Sequence, residues 1–369
     1  MSISPVLETV ATPTLITPNS GTSRRAMLKL ALASAGGVAI AAWSASTSAT
    51  TANAAVDTRN SLALGSYRPD TTTAGVLPGS TLTIVYSHTP VSNTTYTNLD
   101  VRCSVVPGPS VGNVVYKNCI FRGPNAAPTG ISSLYTMFRP HQRTFTFIDC
   151  TFRPQLPNYR WVGLQGYGFK LLRCQASKLV DQVEVFNANN GPNGAGDDSL
   201  RDGPSDVIIE QCFFYESAYW GPLIDTGKAG SHCDAIQWEG TSGLVVRGNY
   251  FTGQLRAQYT PNYYGSTQTN SAMMIKPDAG NISGGLITNN WFGGGAVTIN
   301  VADAPTKNRY IANLGSVSNN CFSRDMFYRP TAFMVGVNTV AGHSDIAINA
   351  TGNLFADNGA VVPVLRKFY

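Results

Sequence analysis

The sequence predicts an all-β fold, a single-stranded right-handed parallel β-helix of about eight or more coils with an N-terminal cap. Eight short segments of the 369-residue chain end alike, in strand-forming residues, then a Cys or Asn, then usually an aromatic residue. Their spacings run from 24 to 41 residues, and self-similarity at such a period is typical of a solenoid. The segments are rich in β-branched and aromatic residues and carry no helical periodicity. The repeated positions are Cys119, Cys150, Cys174, Cys212, Asn249, Asn290, Cys321 and Asn353.

Two columns of stacked side chains are expected inside the coils. Equivalent positions of successive coils lie about 4.8 Å apart, so an Asn at the repeated position can hydrogen-bond to both neighbouring coils and tolerates a left-handed turn. A Cys serves there as a small, readily buried hydrophobe. Two repeats are imperfect, since Ala176 stands where an aromatic residue is expected and Phe322 comes one residue early. The second column is predicted to contain Phe121, Phe152, Phe214, Phe251, Phe292 and Phe355.

The composition favours an exported all-β protein. Charged residues make up 13% of the chain and hydrophobic residues 43%, and 36 glycines supply turns at many coil corners. The formal net charge of +5 is mild, and the basic residues are scattered without a Lys/Arg run. We therefore expect no nucleic-acid partner.

Residues 1–54 are predicted to be a twin-arginine signal peptide. Arg24 and Arg25 precede an apolar stretch from Leu30 to Trp43, and a small-residue cleavage site ends at Ala54. The apolar stretch is short and diluted by Gly and Ser, so stable membrane insertion after cleavage is not expected. The protein is therefore predicted to be secreted to the cell exterior of a bacterium.

The seven Cys residues are predicted to be free, buried thiols. A twin-arginine substrate folds in the reducing cytoplasm before it crosses the membrane. The number of Cys residues is odd, and most of them belong to the repeated column.

Two regions are predicted after the signal peptide. Residues 55–97 are expected to form an N-terminal cap region, because an open apolar end of a solenoid needs a cover. Residues 98–369 are expected to form the parallel β-helix domain.

An elongated polar face is expected on the outside of the coils. If Ile236 and Trp238 point into the core, then Gln237 and Glu239 point outward. In a β-helix, such a face can form an elongated groove that binds a polymer. The same pattern adds Glu184, Lys276 and Thr298 or Asn300 to it.

Two insertions interrupt the regular spacing, and long loops inside a compact repeat are often functional. Residues 187–204 carry Asp197, Asp198 and Asp202, whose oxygens are suitable ligands for Ca²⁺. Residues 254–270 are rich in Tyr, and Tyr263 and Tyr264 are predicted to contact a sugar.

The densest group of chemically active residues runs from Asp225 to Gly240 and contains His232-x-Asp234-x-Ile236-Gln237. With this motif, the phrase GVLPGSTLT and coils such as NVVYKNCIFRG, the chain resembles a family of secreted actinobacterial right-handed β-helix proteins with a pectate-lyase-like fold. The resemblance covers nearly all of the chain after the signal peptide, but it does not specify a reaction. The usual family form has Gly where this chain has Ala235.

His232 and Asp234 have two open interpretations. A His held by a carboxylate is a proton carrier near neutral pH. Strict alternation instead places both residues inward with Ile236, where they would brace a coil corner. A second His-x-Asp, at His343 and Asp345, slightly favours the structural interpretation.

Two enzymatic mechanisms fit these residues, so we expect an exported polysaccharide lyase or glycoside hydrolase that acts on a polymer. In a lyase, Lys276, His232 or a loop Tyr is the candidate base, and Lys228 or Ca²⁺ neutralises the substrate carboxylate. In a hydrolase, two carboxylates must lie roughly 5–9 Å apart. The candidates for that pair are Asp234, Glu239, Glu184 and Asp225.

The same face also fits a second class of protein. A non-catalytic carbohydrate-binding or cell-surface protein would bind a polysaccharide in the groove without cleaving it. In both classes Gln237, Glu184 and Asp225 are expected to contact the glycan, and Lys228 would lie beside them. The fold alone does not decide between them.

Overall fold

A computed structural model describes residues 68–108, 110–124, 135–140, 144–157, 161–187, 204–218, 232–252, 270–303, 309–326, 331–339 and 342–369. Within these ranges the secondary structure is almost entirely strand, arranged in three parallel sheets. This confirms the predicted parallel β-helix, whereas its right-handed sense stays a prediction from the usual hand of parallel crossovers. No helix in the described ranges is long and apolar enough to cross a membrane.

The strands are short, as expected for coils that turn three times. The first fourteen are β1 (Thr83–Val85), β2 (Thr95–Thr97), β3 (Leu99–Val101), β4 (Val114–Lys117), β5 (Ile120–Phe121), β6 (Tyr135–Phe138), β7 (Phe145–Ile148), β8 (Thr151–Phe152), β9 (Trp161–Gly166), β10 (Phe169–Leu172), β11 (Gln175–Ala176), β12 (Asp181–Val185), β13 (Ile208–Glu210) and β14 (Phe213–Tyr215). The rest are β15 (Asp234–Trp238), β16 (Thr241–Ser242), β17 (Val245–Arg247), β18 (Tyr250–Thr252), β19 (Ser271–Ile275), β20 (Ile282–Thr288), β21 (Trp291–Gly293), β22 (Ile299–Ala302), β23 (Ile311–Ser318), β24 (Cys321–Phe322), β25 (Phe333–Val337), β26 (Ala347–Asn349), β27 (Leu354–Phe355) and β28 (Val364–Phe368).

Each of the eight complete coils from β4 to β28 contributes a strand to each of three sheets. The first sheet has the order β1-β3-β5-β8-β11-β14-β18-β21-β24-β27. The second has the order β2-β4-β7-β10-β13-β17-β20-β23-β26, with β16 paired to β20. The third has the order β28-β25-β22-β19-β15-β12-β9-β6. Eight strands in the shortest of these sheets agree with the predicted eight or more coils.

The repeated Cys or Asn lies at the corner between the second and first sheets, and the residue before it is left-handed. Asn118, for example, has φ = 53° and precedes the buried Cys119. The sequence placed the left-handed residue one position too late. A single left-handed residue turns the chain sharply, so the following side chain enters the core. The other left-handed corner residues are Asp149, Arg173, Gln211, Gly248, Asn289, Asn319 and Gly352.

The column changes chemistry halfway along the solenoid. A cysteine ladder (Cys119, Cys150, Cys174, Cys212) is followed by an asparagine ladder (Asn249, Asn290, Asn320, Asn353). In the asparagine ladder, each side-chain amide donates to the next, from Asn249 to Asn290 at 2.9 Å and from Asn290 to Asn320 at 3.0 Å. The ladder therefore satisfies amides that would otherwise be costly to bury.

The assignment of Cys321 to this column was wrong. Asn320 occupies the position, since its side chain accepts from Asn290 and donates to Asn353. Cys321 begins β24, and Phe322 then pairs in register with Phe292. The repeat that looked imperfect in the sequence is therefore regular in the structure. Its Asn-Asn-Cys run offered two plausible positions one residue apart.

The phenylalanine column is confirmed. Phe121 and Phe152 stack with centroids 5.0 Å apart, and Phe251 and Phe292 stack at 4.8 Å. Ala176 takes the place of an aromatic ring, in register with Phe152. All seven Cys residues are free, as predicted, and Cys103 is the one that is only half-buried.

Residues 68–80, called the N-terminal strap, run along the side of the first sheet. The strap crosses successive coils in reverse order. Gly75 donates its N–H to the carbonyl of Arg173 at 2.7 Å, and Val76 donates to Oγ1 of Thr151 at 2.9 Å. The predicted cap boundary of 55–97 stays a prediction, because its first residues lie outside the described ranges.

Gly75 and Gly79 of the strap provide a matched pair of substitutions. Both are left-handed, with φ of 78° and 79°, but a Cβ on Gly75 would lie 2.3 Å from Cγ of Gln175, whereas one on Gly79 would meet nothing within 4 Å. We expect Gly79→Ala to lower the free energy of unfolding by about 1–2 kcal/mol. Gly75→Ala should lower it by about 1–3 kcal/mol more, because Gln175 must move. Urea unfolding measures both, and equal losses would contradict the packing of the strap on Gln175.

Candidate functional site

An acidic cluster lies on the third sheet, where β12 and β15 pair. It consists of Asp181 and Glu184 of β12, Asp234 of β15, and Glu239, which follows β15. Glu184 lies in register with Gln237, and the backbone N–H of Glu239 donates to the carbonyl of Val185 at 3.0 Å. Parallel pairing in register therefore brings together acids that are far apart in the sequence.

Asp234 lies on the side of its strand that carries Gln237, because the alternation of β15 is interrupted. Ala235 and Ile236 are consecutive, and both belong to the hydrophobic core. One extra inward residue shifts the preceding side chain to the opposite face. The amide of Gln237 accordingly donates to Oδ2 of Asp234 at 2.9 Å. The inward interpretation from strict alternation therefore does not hold, although Asp234 is only 1% exposed.

Gln237 joins two carboxylates. Its Nε2 donates to Oδ1 of Asp181 at 3.1 Å as well as to Asp234. Asp181 also accepts the backbone N–H of Asp234 at 3.0 Å, and Asp234 accepts from Nδ2 of Asn270 at 3.2 Å. Because one nitrogen serves both carboxylates, the two accepting oxygens lie no more than about 6 Å apart.

Glu184 is held by a chain of polar side chains from earlier coils. Nε2 of Gln165 donates to Oε2 of Glu184 at 2.6 Å, and Oγ1 of Thr136 donates to Oε1 of Gln165 at 2.8 Å. The guanidinium of Arg139 lies close enough to favour the ionised form of Glu184. The carboxyl group of Glu184 is therefore fixed in position.

Burial raises the pKa values of three acids in the cluster. The pKa of Asp181 is well above its ordinary value, first because of burial and then because of Glu184 and Asp234. Burial and then Glu239 raise the pKa of Glu184 to about 8, against the opposing hydrogen bond from Gln165. Burial raises the pKa of Asp234 to about 6, while hydrogen bonds from Gln237 and Asn270 oppose it. Crowded carboxyl groups with separated pKa values are typical of acid–base sites.

These pKa shifts predict that stability falls as the pH rises. A carboxyl group whose pKa is higher in the folded state binds more protons there than in the unfolded chain, so deprotonation between about pH 4 and 8 favours unfolding. We expect the free energy of unfolding to be lower at pH 8 than at pH 5, and Glu184→Gln to reduce that difference. Urea unfolding at pH 5, 6.5 and 8 measures it. Asn289→Gly, which changes no titratable group, is the control. An unchanged pH dependence in Glu184→Gln would contradict the shift.

Neither His-x-Asp motif forms a pair within itself. His232 is exposed, and no hydrogen bond or ion pair joins it to Asp234. His343 instead contacts Asp303 of the preceding coil, with Nδ1 2.9 Å from Oδ2. Asp345 pairs with Arg366. The two motifs therefore differ in geometry although they share the same sequence pattern.

Lys276 borders the acidic cluster but already has a partner. Its Nζ lies 2.8 Å from Oδ2 of Asp278, and its backbone N–H donates to the carbonyl of Trp238. The side chain is 37% exposed. On the outward face of the third sheet, Met274 rather than Lys276 lies in register with Gln237 and Asn300. Thr298 is buried and donates to the carbonyl of Gly294 at 2.9 Å.

Several predicted site residues lie outside the described ranges. The Ca²⁺ site and the loop contacts with sugar therefore stay predictions. Among the residues that are described, no group of three or more His, Cys, Asp or Glu side chains is arranged to hold a metal ion. The residues concerned are Asp197, Asp198, Asp202, Asp225, Lys228, Tyr263 and Tyr264.

Asp181 is the cluster member that sequence reasoning missed. A signal was present, because Asp181-x-Val-Glu184 and Asp234-x-Ile-Gln237 share one pattern 53 residues apart. Aligning the two segments as successive coils places Asp181 beside Asp234. Asn270 was missed for a different reason. It lies just before β19 rather than in it, so the alternation of that strand does not indicate where its side chain points.

No protein-family model, curated protein or solved structure matches the chain. The resemblance to pectate-lyase-like β-helix proteins therefore rests on the motifs in the sequence.

Proposed function

We propose that the protein is an exported glycoside hydrolase that cleaves a polysaccharide at the acidic cluster. The observation that carries the proposal is the carboxylate pair of Asp181 and Asp234, joined through Nε2 of Gln237. Glycoside hydrolysis uses two such carboxyl groups, one as the acid and one as the base or nucleophile. Export rests on the twin-arginine pattern of residues 1–54.

The two pKa values suit two different roles. Burial first, and then Glu184 and Asp234, raise the pKa of Asp181 well above its ordinary value, so we assign to this residue the proton that a leaving glycosidic oxygen needs. The pKa of Asp234 is raised only to about 6, so Asp234 is mostly ionised at pH 7. In this assignment Asp181 is the general acid and Asp234 is the nucleophile.

The separation of the pair predicts the stereochemistry. Inverting glycosidases leave about 6.5–9.5 Å between their carboxyl groups to admit a water molecule, whereas retaining enzymes have about 5–5.5 Å. The shared donor keeps the oxygens of Asp181 and Asp234 within about 6 Å. We therefore propose that cleavage retains the anomeric configuration.

The surrounding charge favours a hydrolase over a lyase. A lyase needs positive charge to neutralise a uronate carboxylate, but Lys276 is already paired with Asp278. The positive charge of Arg139 already favours the ionised form of Glu184. Asp234, whose pKa of about 6 leaves it mostly ionised at pH 7, opposes the binding of an additional carboxylate. The candidate bases Lys276 and His232 also make no contact with Asp234 among the described residues.

Burial favours a second candidate function. Asp181, Glu184 and Asp234 are 4%, 3% and 1% exposed, whereas a catalytic carboxyl group must contact its substrate. If these acids stay covered, the half-buried Gln237 and Glu239 face the solvent above them. A non-catalytic carbohydrate-binding or cell-surface protein is the function that fits this state.

One incubation separates these functions. The protein from residue 55 onward is incubated with a panel of neutral and acidic polysaccharides, with and without Ca²⁺, and both reducing ends and ultraviolet absorbance are followed. We expect reducing ends without absorbance, and NMR of the first products should show retained configuration. Absorbance from an unsaturated sugar would establish a lyase instead. Retention on an immobilised glycan without either signal would establish the binding protein.

A further inference from the structure

Arg68, the first residue of the N-terminal strap, lies over an aromatic patch on the outside of the first sheet. Its Cζ atom is 4.3 Å from the ring centroid of Trp291 and 5.0 Å from that of Tyr250. Phe213 extends the patch, with its ring stacked 5.4 Å from that of Tyr250. These rings belong to three successive coils, so a rigid sheet holds their spacing.

The guanidinium of Arg68 has no carboxylate within ion-pair distance among the described residues, in contrast to most of the described arginines. Arg68 is exposed, and its one hydrogen bond, to the hydroxyl oxygen of Tyr250, is long at 3.4 Å. Six other arginines in the described ranges contact a carboxylate. They are Arg102, Arg122, Arg173, Arg247, Arg324 and Arg366.

Beneath Arg68 lies a buried hydrogen-bond donor that has no acceptor among the described residues. Trp291 is only 8% exposed, and its Nε1–H has no acceptor in the described part of the chain. A buried donor without an acceptor is costly and usually has a reason.

We propose that Arg68, Tyr250 and Trp291 form a binding site for a carboxylate-bearing saccharide. The planar guanidinium, supported on two rings, presents its edge to a carboxylate and can bind it through two parallel hydrogen bonds. The half-buried ring of Tyr250 offers an apolar surface to the sugar ring. The indole N–H then donates to a ring or hydroxyl oxygen.

This site is independent of the proposed hydrolase activity. The acidic cluster lies on the third sheet and repels a carboxylate, whereas the Arg68 site lies on the first sheet and attracts one. It serves to hold the protein on an acidic glycan, whichever reaction the third sheet performs. A binding measurement therefore tests it even if no hydrolysis is found.

The test is titration calorimetry with short acidic saccharides. Trimers of galacturonate, glucuronate and mannuronate are titrated into the protein, beside neutral trimers of the same sugars and sodium acetate. We expect at least one uronate trimer to bind, the neutral trimers not to bind, and Arg68→Gln to weaken binding by about tenfold or more. Trp291→Phe, which keeps a ring but removes the N–H, should weaken it by a smaller factor.

Arg324→Gln is the matched control. Arg324 also lies over an aromatic ring, 3.7 Å from the centroid of Phe355, but it is already paired with Asp357 at 2.7 Å. Its loss should leave uronate binding unchanged. Absence of binding by all three uronates would overturn the proposal, as would equal binding in Arg68→Gln. Binding of acetate as tightly as the trimers would overturn the saccharide part.

Discussion

Asp234→Asn is expected to lower the rate of polysaccharide hydrolysis by about 10²–10⁴. The asparagine keeps the shape of the side chain and an oxygen that can accept from Gln237, whose amide now lies 2.9 Å from Oδ2. It removes the negative charge that the proposed mechanism places at this atom. The measurement is release of reducing ends from whichever polysaccharide the protein cleaves, with thermal unfolding recorded to show that the variant folds.

The control is Asp357→Asn, which removes an exposed carboxylate far from the cluster in the sequence and on the first-sheet side. It should leave the rate unchanged. Asp181→Asn should lower the rate as well, and more for substrates with a poor leaving group, because it removes the general acid. Full activity in a folded Asp234→Asn variant would contradict the role of this pair. The proposed catalysis would then have to rest on Glu184 and Glu239.

Asn290→Ala is expected to cause the largest loss of stability, about 2–5 kcal/mol in the free energy of unfolding. Oδ1 of Asn290 accepts from the backbone N–H and the side-chain amide of Asn249, at 3.0 and 2.9 Å. Its Nδ2 donates to the carbonyl of Val246 at 3.0 Å and to Asn320. Alanine leaves two buried donors of Asn249 without an acceptor, in a place that is completely buried. Urea unfolding measures the loss.

The neighbouring residue provides the control for this substitution. Asn289 is left-handed, with φ = 56°, and its side chain lies outside the ladder. Asn289→Gly relieves the backbone and should change the free energy of unfolding by less than about 1 kcal/mol. Similar losses for the two variants would show that the ladder contributes no more than an ordinary corner.

The ladder also shows how far a repeat can be followed in one sequence. Seven of the eight repeated positions were predicted correctly, because the column must hold small or stackable side chains and an aromatic ring follows two residues later. The eighth failed at Asn320 and Cys321, since both residue types occur in the column elsewhere. Only the hydrogen bonds of the neighbouring coils distinguish the two.

At the candidate site, the sequence predicted the outward face of β15 but not the partner of Asp234. Gln237 and Glu184 were expected to share a face, and they lie in register. The contact between Gln237 and Asp234 was missed, because strict alternation turns Asp234 inward and two consecutive core residues, Ala235 and Ile236, break that alternation. Such a break depends on how the coil bends at its corner. The simple alternation of inward and outward side chains along a strand does not contain that information.

The sequence by itself determined the fold class and the two stacked columns, because a solenoid repeats its local chemistry in every coil. Free thiols in the cysteine ladder follow from the same repetition. The tertiary structure alone decided which acids meet. Asp181 and Asp234 are 53 residues apart and touch the same amide only because parallel strands pair in register. Their pKa values were likewise decided by burial and by mutual proximity, and both of these are properties of the packed coils.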